Sequence, residues 1–420
     1  MKKYIGLVGM AALLVAMAGN HRINARANEN TASARSSTYD STTSLKPLSE
    51  NVNKGLSWLV AHQQNSGGWG QGEESQHMGG TLSHLKDTAN VADTGMATLA
   101  LIRSGSTASR GEYRENIRRG VDFIVREVER SDAKSLYITD IRGTRVQSKL
   151  GPYVDTFLAA LVLAEVRNHM PDESSKRRVI VALDKVMDKI ERNQKENGTW
   201  SNEGWAPVLA QGLAGKAINR AAQEGAQVTE KVRERVEKNA RGQVDPSTAR
   251  VAAGAGSAGV RLYSSAATVG AMQDSANTNL QKEQELQREL GTLPSASPKR
   301  AALENKLKDI DRNKVDLGRA RTALVAQLDD PQFVAGFGSN GGEEYLSYLS
   351  IGESLLAKGG EEWQKWYKTM AANLSRVQNR DGSWSGHHCI TGRNFCTAAA
   401  LMTLTVDRAP LPVAAKIRRR

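Results

Sequence analysis

The chain has 420 residues, more than one ordinary hydrophobic core serves, so either several domains or a stack of repeats must organise it. Its formal charge of +12 is spread along mixed Lys/Glu segments, with one local cluster at Lys416 to Arg420. That pattern favours a solvated surface, points away from nucleic acid as a partner and keeps contact with an anionic membrane surface in view.

Lys2 and Lys3 precede the apolar run Tyr4 to Gly19, and Ala25-Arg26-Ala27 supplies small residues for cleavage. Residues 1–27 are therefore expected to be a signal peptide cleaved near Ala27, with the mature protein periplasmic or secreted. The run is short for a membrane span. Its removal lowers the formal charge from +12 to +8. Residues 28–46 are Ser/Thr/Asn-rich and aperiodic, a flexible leader.

From residue 47 onward, amphipathic helices alternate with small-faced ones. The expected pairs are 48–63 with 91–104, 112–130 with 152–167, 174–192 with 207–223, 226–240 with 258–273, and 361–377 with 394–406. Ile117, Val121, Ile124 and Val128 mark the outward type; Ala210, Gly212, Ala214 and Ala217 mark the inward one. Leu136 to Ile141 reads as a short extended piece. At 274 the composition turns to Gln, Glu, Lys, Arg and Leu, broken by Pro294 and Pro298. Leu303, Leu307, Ile310, Leu317, Leu324 and Leu328 then keep a heptad seam, interrupted by Lys314 and Arg321. The segment 274–330 is expected to be an inserted helical hairpin, self-packed or used as a docking or dimer arm, whose second arm doubles as the fifth outer helix. The toroid repeats would occupy 47–273 and 331–410, the latter opening on a Gly-rich loop (331–342) before an inner helix at 343–357, with 411–420 as a basic tail.

One element punctuates this alternation. Gln-x3-Gly-x-Trp occurs as Gln63, Gly67, Trp69; as Gln194, Gly198, Trp200; and as Gln378, Gly382, Trp384, each after an outer helix. Three copies mark a repeat architecture. The element resembles the repeat signature of the squalene and hopene cyclases, with looser forms in protein prenyltransferase beta subunits, and the final FCTAAALMTL is similar to their Cys-containing inner helices. The resemblance implies an all-α fold, an α/α toroid of about six helical hairpins, in which the Gln and Trp of each element are structural.

The catalytic signatures of these relatives are incomplete here. Class II cyclases carry Asp-x-Asp-Asp-Thr, whose middle acid donates a proton. Asn90 to Thr94 keeps only Asp93 and Thr94, with Ala92 at the donor position, and Pro152 to Thr156 keeps Asp155, with Val154 there. Asp93 and Asp155 are either helix-capping groups or functional acids raised in pKa by burial. Aromatics make up only 5% of the chain, which weighs against a cavity that steers carbocations. The Asp-x-Cys zinc pair of prenyltransferases is missing, and no metal or cofactor is expected. His387, His388, Cys389 and Cys396 concentrate reactive chemistry around the start of the last helix; Cys389 and Cys396 are a candidate disulfide or else two unlinked thiols, a zinc site being the weaker alternative, and among unlinked thiols Cys389 beside its imidazole neighbours is a weaker candidate nucleophile.

Three functions remain open. The first is a toroid holding an apolar, isoprenoid-type molecule or a protein partner, with Tyr153, Trp205, Tyr348, Arg393 and Phe395 at the ligand. The second is a cyclase or prenyl-transfer enzyme relying on Asp93, Asp155, His387 and His388. The third is a scaffold that dimerises through 274–330.

Overall fold

The computed structural model describes residues 47–74, 83–252, 261–328 and 341–409. The expected signal peptide and leader (1–46), the tail 411–420 and nearly all of the Gly-rich loop 331–342 lie outside the described residues. Within them the chain is all-helical. The helices are α1 (Glu50–Ala61), α2 (Val91–Arg103), α3 (Arg114–Arg130), α4 (Arg145–Leu150), α5 (Val154–Val166), α6 (Glu173–Asn193), α7 (Pro207–Gln223), α8 (Glu230–Gly242), α9 (Arg261–Thr292), α10 (Pro298–Gln327), α11 (Gly342–Lys358), α12 (Glu361–Arg376) and α13 (Arg393–Leu404).

Helices α2, α5, α7, α9, α11 and α13 stand side by side, each packed on the next, and α13 returns to α2. This closes the inner wall of an α/α toroid. Every residue of α2 and of α5 is buried, as expected of helices apolar around their whole circumference. Helices α1, α3, α6, α8, α10 and α12 form the outer layer; in α3, for instance, only the stripe Ile117, Val121, Ile124, Val125 and Val128 with its immediate neighbours faces inward. Six outer–inner hairpins result among the described residues.

The Gln-Gly-Trp elements share one geometry. The indole nitrogens of Trp69, Trp200 and Trp384 donate to Leu59, Ile190 and Leu374 carbonyls at 2.8, 2.7 and 2.8 Å, one turn before the Gln in each case. The Gln amides then reach the next outer helix: Gln63 to Asn116 O at 2.9 Å, Gln194 to Val232 O at 3.2 Å and Gln378 to Asn51 O at 2.8 Å. The glycine between them is required twice over. Gly382 sits at φ +93°, and a Cβ there would lie 2.8 Å from Lys54 O; Gly67 and Gly198 meet Arg119 O and Arg235 O in the same way.

Two details depart from the sequence-based expectation. The seam placed at 273/274 falls inside α9, which runs unbroken from Arg261 to Thr292 and so serves as both inner stave and first arm of the spur. Leu286, Leu303 and Ile310 with Leu290, Leu293 and Leu307 form the spur's own small core. The basic interruptions of the leucine seam are partnered across the hairpin, Lys314 by Glu283 at 2.6 Å and Arg321 by the Gln273 carboxamide. Leu136 to Ile141 belongs to no helix or strand, and the second connector further on forms the short helix α4, opened by a Thr144/Gln147 capping box.

Candidate functional site

The ring axis has two unlike ends. Where the inner helices finish, charged side chains plug it: Arg103 meets Glu353 at 2.8 Å, Lys216 meets Glu353 at 2.7 Å and Asp274 at 2.9 Å, and beside them Arg220 meets Glu165 at 3.0 Å. Burial pushes Glu353 upward, but Lys216 and Arg103 outweigh it and hold the carboxyl down at about 2. Asp274, with Lys216 as its main counterion, is raised by burial to about 6. Above this plug, Met96, Leu99, Leu158, Leu213, Leu346 and Met402 converge and leave about 30 Å³. Small-molecule sites run to about 300–1,000 Å³. The axis itself thus has no room for an isoprenoid chain.

Where the inner helices begin, the buried acids Asp155, Asp93 and Glu343 make no ion pair among the described residues. Asp155, at the start of α5, accepts the Ala92 amide at 2.9 Å and the Gln147 side chain at 2.7 Å, which ties α5 to the first turn of α2 and to α4. Burial raises it to about 6 against those hydrogen bonds. Asp93 is raised further, to about 8: burial dominates, Asn90 opposes it through a 2.8 Å bond to Oδ2, and Asp155 and Glu74 add repulsion. Its Oδ1 has no hydrogen-bond partner among the described residues. Glu343, at the start of α11, is raised by burial to about 7 although Oε2 accepts the Ile390 amide at 3.1 Å. Asp93 and Glu343 are thus largely or partly protonated near neutral pH and can donate a proton; Asp155 is held as a helix tie.

The remaining expected site residues separate into three groups. Phe395 is fully buried and Tyr348 nearly so; Tyr348 Oη lies 3.4 Å from Glu344 Oε2. Arg393 is a clasp, bonded to Asp381 at 2.7 Å and Glu73 at 3.3 Å. Tyr153 and Trp205 remain accessible on the face where the inner helices begin, Tyr153 against Tyr137 (4.9 Å between centroids) and Trp205, 47% exposed, beside Lys149. His387 is exposed and His388 half-buried, and no hydrogen bond or ion pair among the described residues joins either to Asp93 or Asp155. Cys389 and Cys396 are separate buried thiols: Cys389, at φ +62°, faces Glu343, while Cys396 Sγ donates to Ile390 O at 3.4 Å. Burial pushes Cys389 up to about 11 and raises Cys396 well above the ordinary thiol value.

A pocket of about 350 Å³ opens between α7, α8 and α9. Ser201, Asn202, Gln211, Asn239, Ser264 and Thr268 supply hydrogen-bonding groups; Gly212, Ala267 and Ala271 form a flat floor shared with the ring axis. Among the described residues, none that lines it is charged or aromatic. Sequence reasoning overlooked it because its walls come from three helices whose small polar residues carry no motif. Glu343 was also missed, although acids following glycines at a helix start were visible.

Residues 40–136 match the family model of the squalene-hopene cyclase C-terminal domain. The match takes in the first hairpin, its Gln-Gly-Trp element and the outer helix of the second. No curated protein sequence matches the chain. Among solved structures, the fold is similar to that of an α/α toroid from Salegentibacter, an inactive double Asp→Asn variant of an alpha-1,6-mannanase in complex with alpha-1,6-mannotriose. The TM-score is 0.53 at 10% identity, over 86% of this chain and 98% of that one. At that identity the likeness speaks to the fold alone.

Proposed function

We propose that this toroid is a binding module, and that it takes a neutral, hydroxyl-bearing small molecule such as a sugar in the pocket between α7, α8 and α9. The observation that carries the reading is the uncharged lining of that pocket, where amide and hydroxyl groups stand over a small-residue floor. Neutral hydrogen-bonding groups suit a polyhydroxylated ligand, because no buried charge has to be desolvated to admit it. The mannotriose-bound mannanase is a precedent for this fold holding a neutral oligosaccharide. An isoprenoid-type ligand at the same pocket is the apolar version of the reading. Titration calorimetry with mannotriose and with farnesol tests both. Mannotriose is expected to bind the wild type, and Val208→Trp, which fills the pocket from α7, is expected to abolish the heat. Silence from both probes, or undiminished binding to Val208→Trp, rejects the pocket as the site.

One observation favours an enzyme as the second reading: Asp93 is a buried acid that keeps its proton at neutral pH. Turnover of squalene or a prenyl diphosphate that vanishes in Asp93→Asn supports it; turnover that survives in Asp93→Asn removes Asp93 from the chemistry.

A further inference from the structure

We propose a second binding site outside the ring, a trough between outer helix α8 and spur helix α10 that holds a short extended peptide by its free carboxylate end. The trough encloses about 920 Å³, with α8 and α10 as walls and α9 as floor. Ion pairs bridge the two walls near each end. Glu230 meets Lys306 at 3.0 Å, with Lys282 at 4.0 Å, at one end, and Arg241 meets Asp316 at 3.0 Å at the other. From Glu230 to Arg241 the wall rises about 16 Å at 1.5 Å per residue. That length matches four or five extended residues at about 3.3 Å each.

Polar atoms inside the trough are left without partners. Asn219 Oδ1 and Ser275 Oγ, on residues 1% and 2% exposed, make no hydrogen bond among the described residues, and neither does Arg233 Nε. Buried polar groups are normally paired, and each that is not costs about 1–3 kcal/mol. An acceptor-only oxygen beside a hydroxyl and an N–H donor complements the alternating N–H and C=O groups of a peptide backbone. Arg233 supplies the anion site. Its one hydrogen bond among the described residues runs to a neutral group, Asn279 Oδ1 at 3.0 Å, and no carboxylate there lies within ion-pair distance of it. Glu230, its neighbour one turn back, is engaged by Lys306 and Lys282. Glu237 is turned to Asn279 at 2.8 Å, and burial favours its neutral form. A guanidinium in this setting lacks the bidentate carboxylate it is shaped for. Leu286 and Ile310 add an apolar surface beside it.

The probe is dansylated tetra-alanine, as free acid and as C-terminal amide, titrated against the full chain by fluorescence polarisation. The free acid is expected to bind at least tenfold tighter. Arg233→Gln is expected to erase that preference, and Ser275→Ala to weaken both forms. Gly242→Trp is the independent control: Gly242 lines the trough and a Cβ there meets nothing within 4 Å, so an indole placed at this position is expected to block both peptides while the melting temperature holds. Equal affinity for acid and amide, a preference that survives Arg233→Gln, binding that survives Gly242→Trp, or no binding of either peptide up to millimolar concentration overturns the proposal.

Discussion

The side-chain nitrogen of Gln378 lies 2.8 Å from the backbone oxygen of Asn51, across 327 residues of sequence. It is the contact by which the last Gln-Gly-Trp element grips the first turn of the first outer helix, and so joins the two ends of the ring. Gln378→Ala removes this bond and the companion bond to Gly382 O, also 2.8 Å, leaving two carbonyls short of a donor. The expected loss is about 1–3 kcal/mol in urea unfolding. Trp384→Ala, which empties a fully buried site, is expected to cost about 3–5 kcal/mol. Equal stability of either variant and the wild type contradicts a structural role for the element.

Asp93 sets a pH dependence. Its folded pKa is raised to about 8 from an ordinary 3.8, so the folded state binds the proton more tightly than the unfolded chain. Stability from this group is complete below pH 4 and is lost progressively as pH climbs toward 8. Asp93→Asn, which cannot ionise, is expected to raise the melting temperature at pH 8.5 clearly more than at pH 5. A uniform effect at both pH values contradicts the raised pKa.

The plug at the closed end of the axis depends on one lysine. Lys216 is paired with both Glu353 and Asp274, and Lys216→Met leaves those buried carboxylates with Arg103 as the remaining cation among the pairs described. Loss of one partner of a buried pair costs about 3–5 kcal/mol. The double variant Lys216→Met/Glu353→Gln is expected to recover a measurable part of that in guanidinium melts. No recovery indicates that the loss came from packing rather than from uncompensated charge.

The thiols are a fourth check. Cys389 is pushed to about 11 and Cys396 well above the ordinary thiol value, both by burial, so almost no thiolate is present at pH 8. Ellman's reagent should titrate no fast thiol in the native protein and two in denaturant without reductant. A count of zero in denaturant means the pair is oxidised in solution.

Much of the fold was legible because outer and inner helices obey different rules. The stripe in 114–130 and the Ala/Gly face of 207–223 each state which layer they occupy, and the three Gln-Gly-Trp spacings state where an outer helix ends and the connector to its inner partner begins. The continuity of α9 was not legible. Ser275, Asn277, Thr278 and Asn279 look like the solvated surface of a new segment, yet all are buried between α9 and its neighbours; polarity alone does not end a helix when no Pro interrupts it, and Gly270 is carried within this one. Asp93 and Asp155 were recognisable as residues at helix starts, but their separation into a protonated acid and a tie depends on Gln147 and on the Ala92 amide, which no spacing rule brings together. The diameter of the axis was equally hidden, since Met96, Leu158 and Met402 fill it only once six helices have met.

Because α9 has no joint between ring and spur, it is a single rod of 32 residues, about 48 Å long at 1.5 Å per residue. A load applied at the spur tip near Leu290 is therefore delivered straight to the stave carrying Asp274, making the projecting arm a mechanical handle on the barrel.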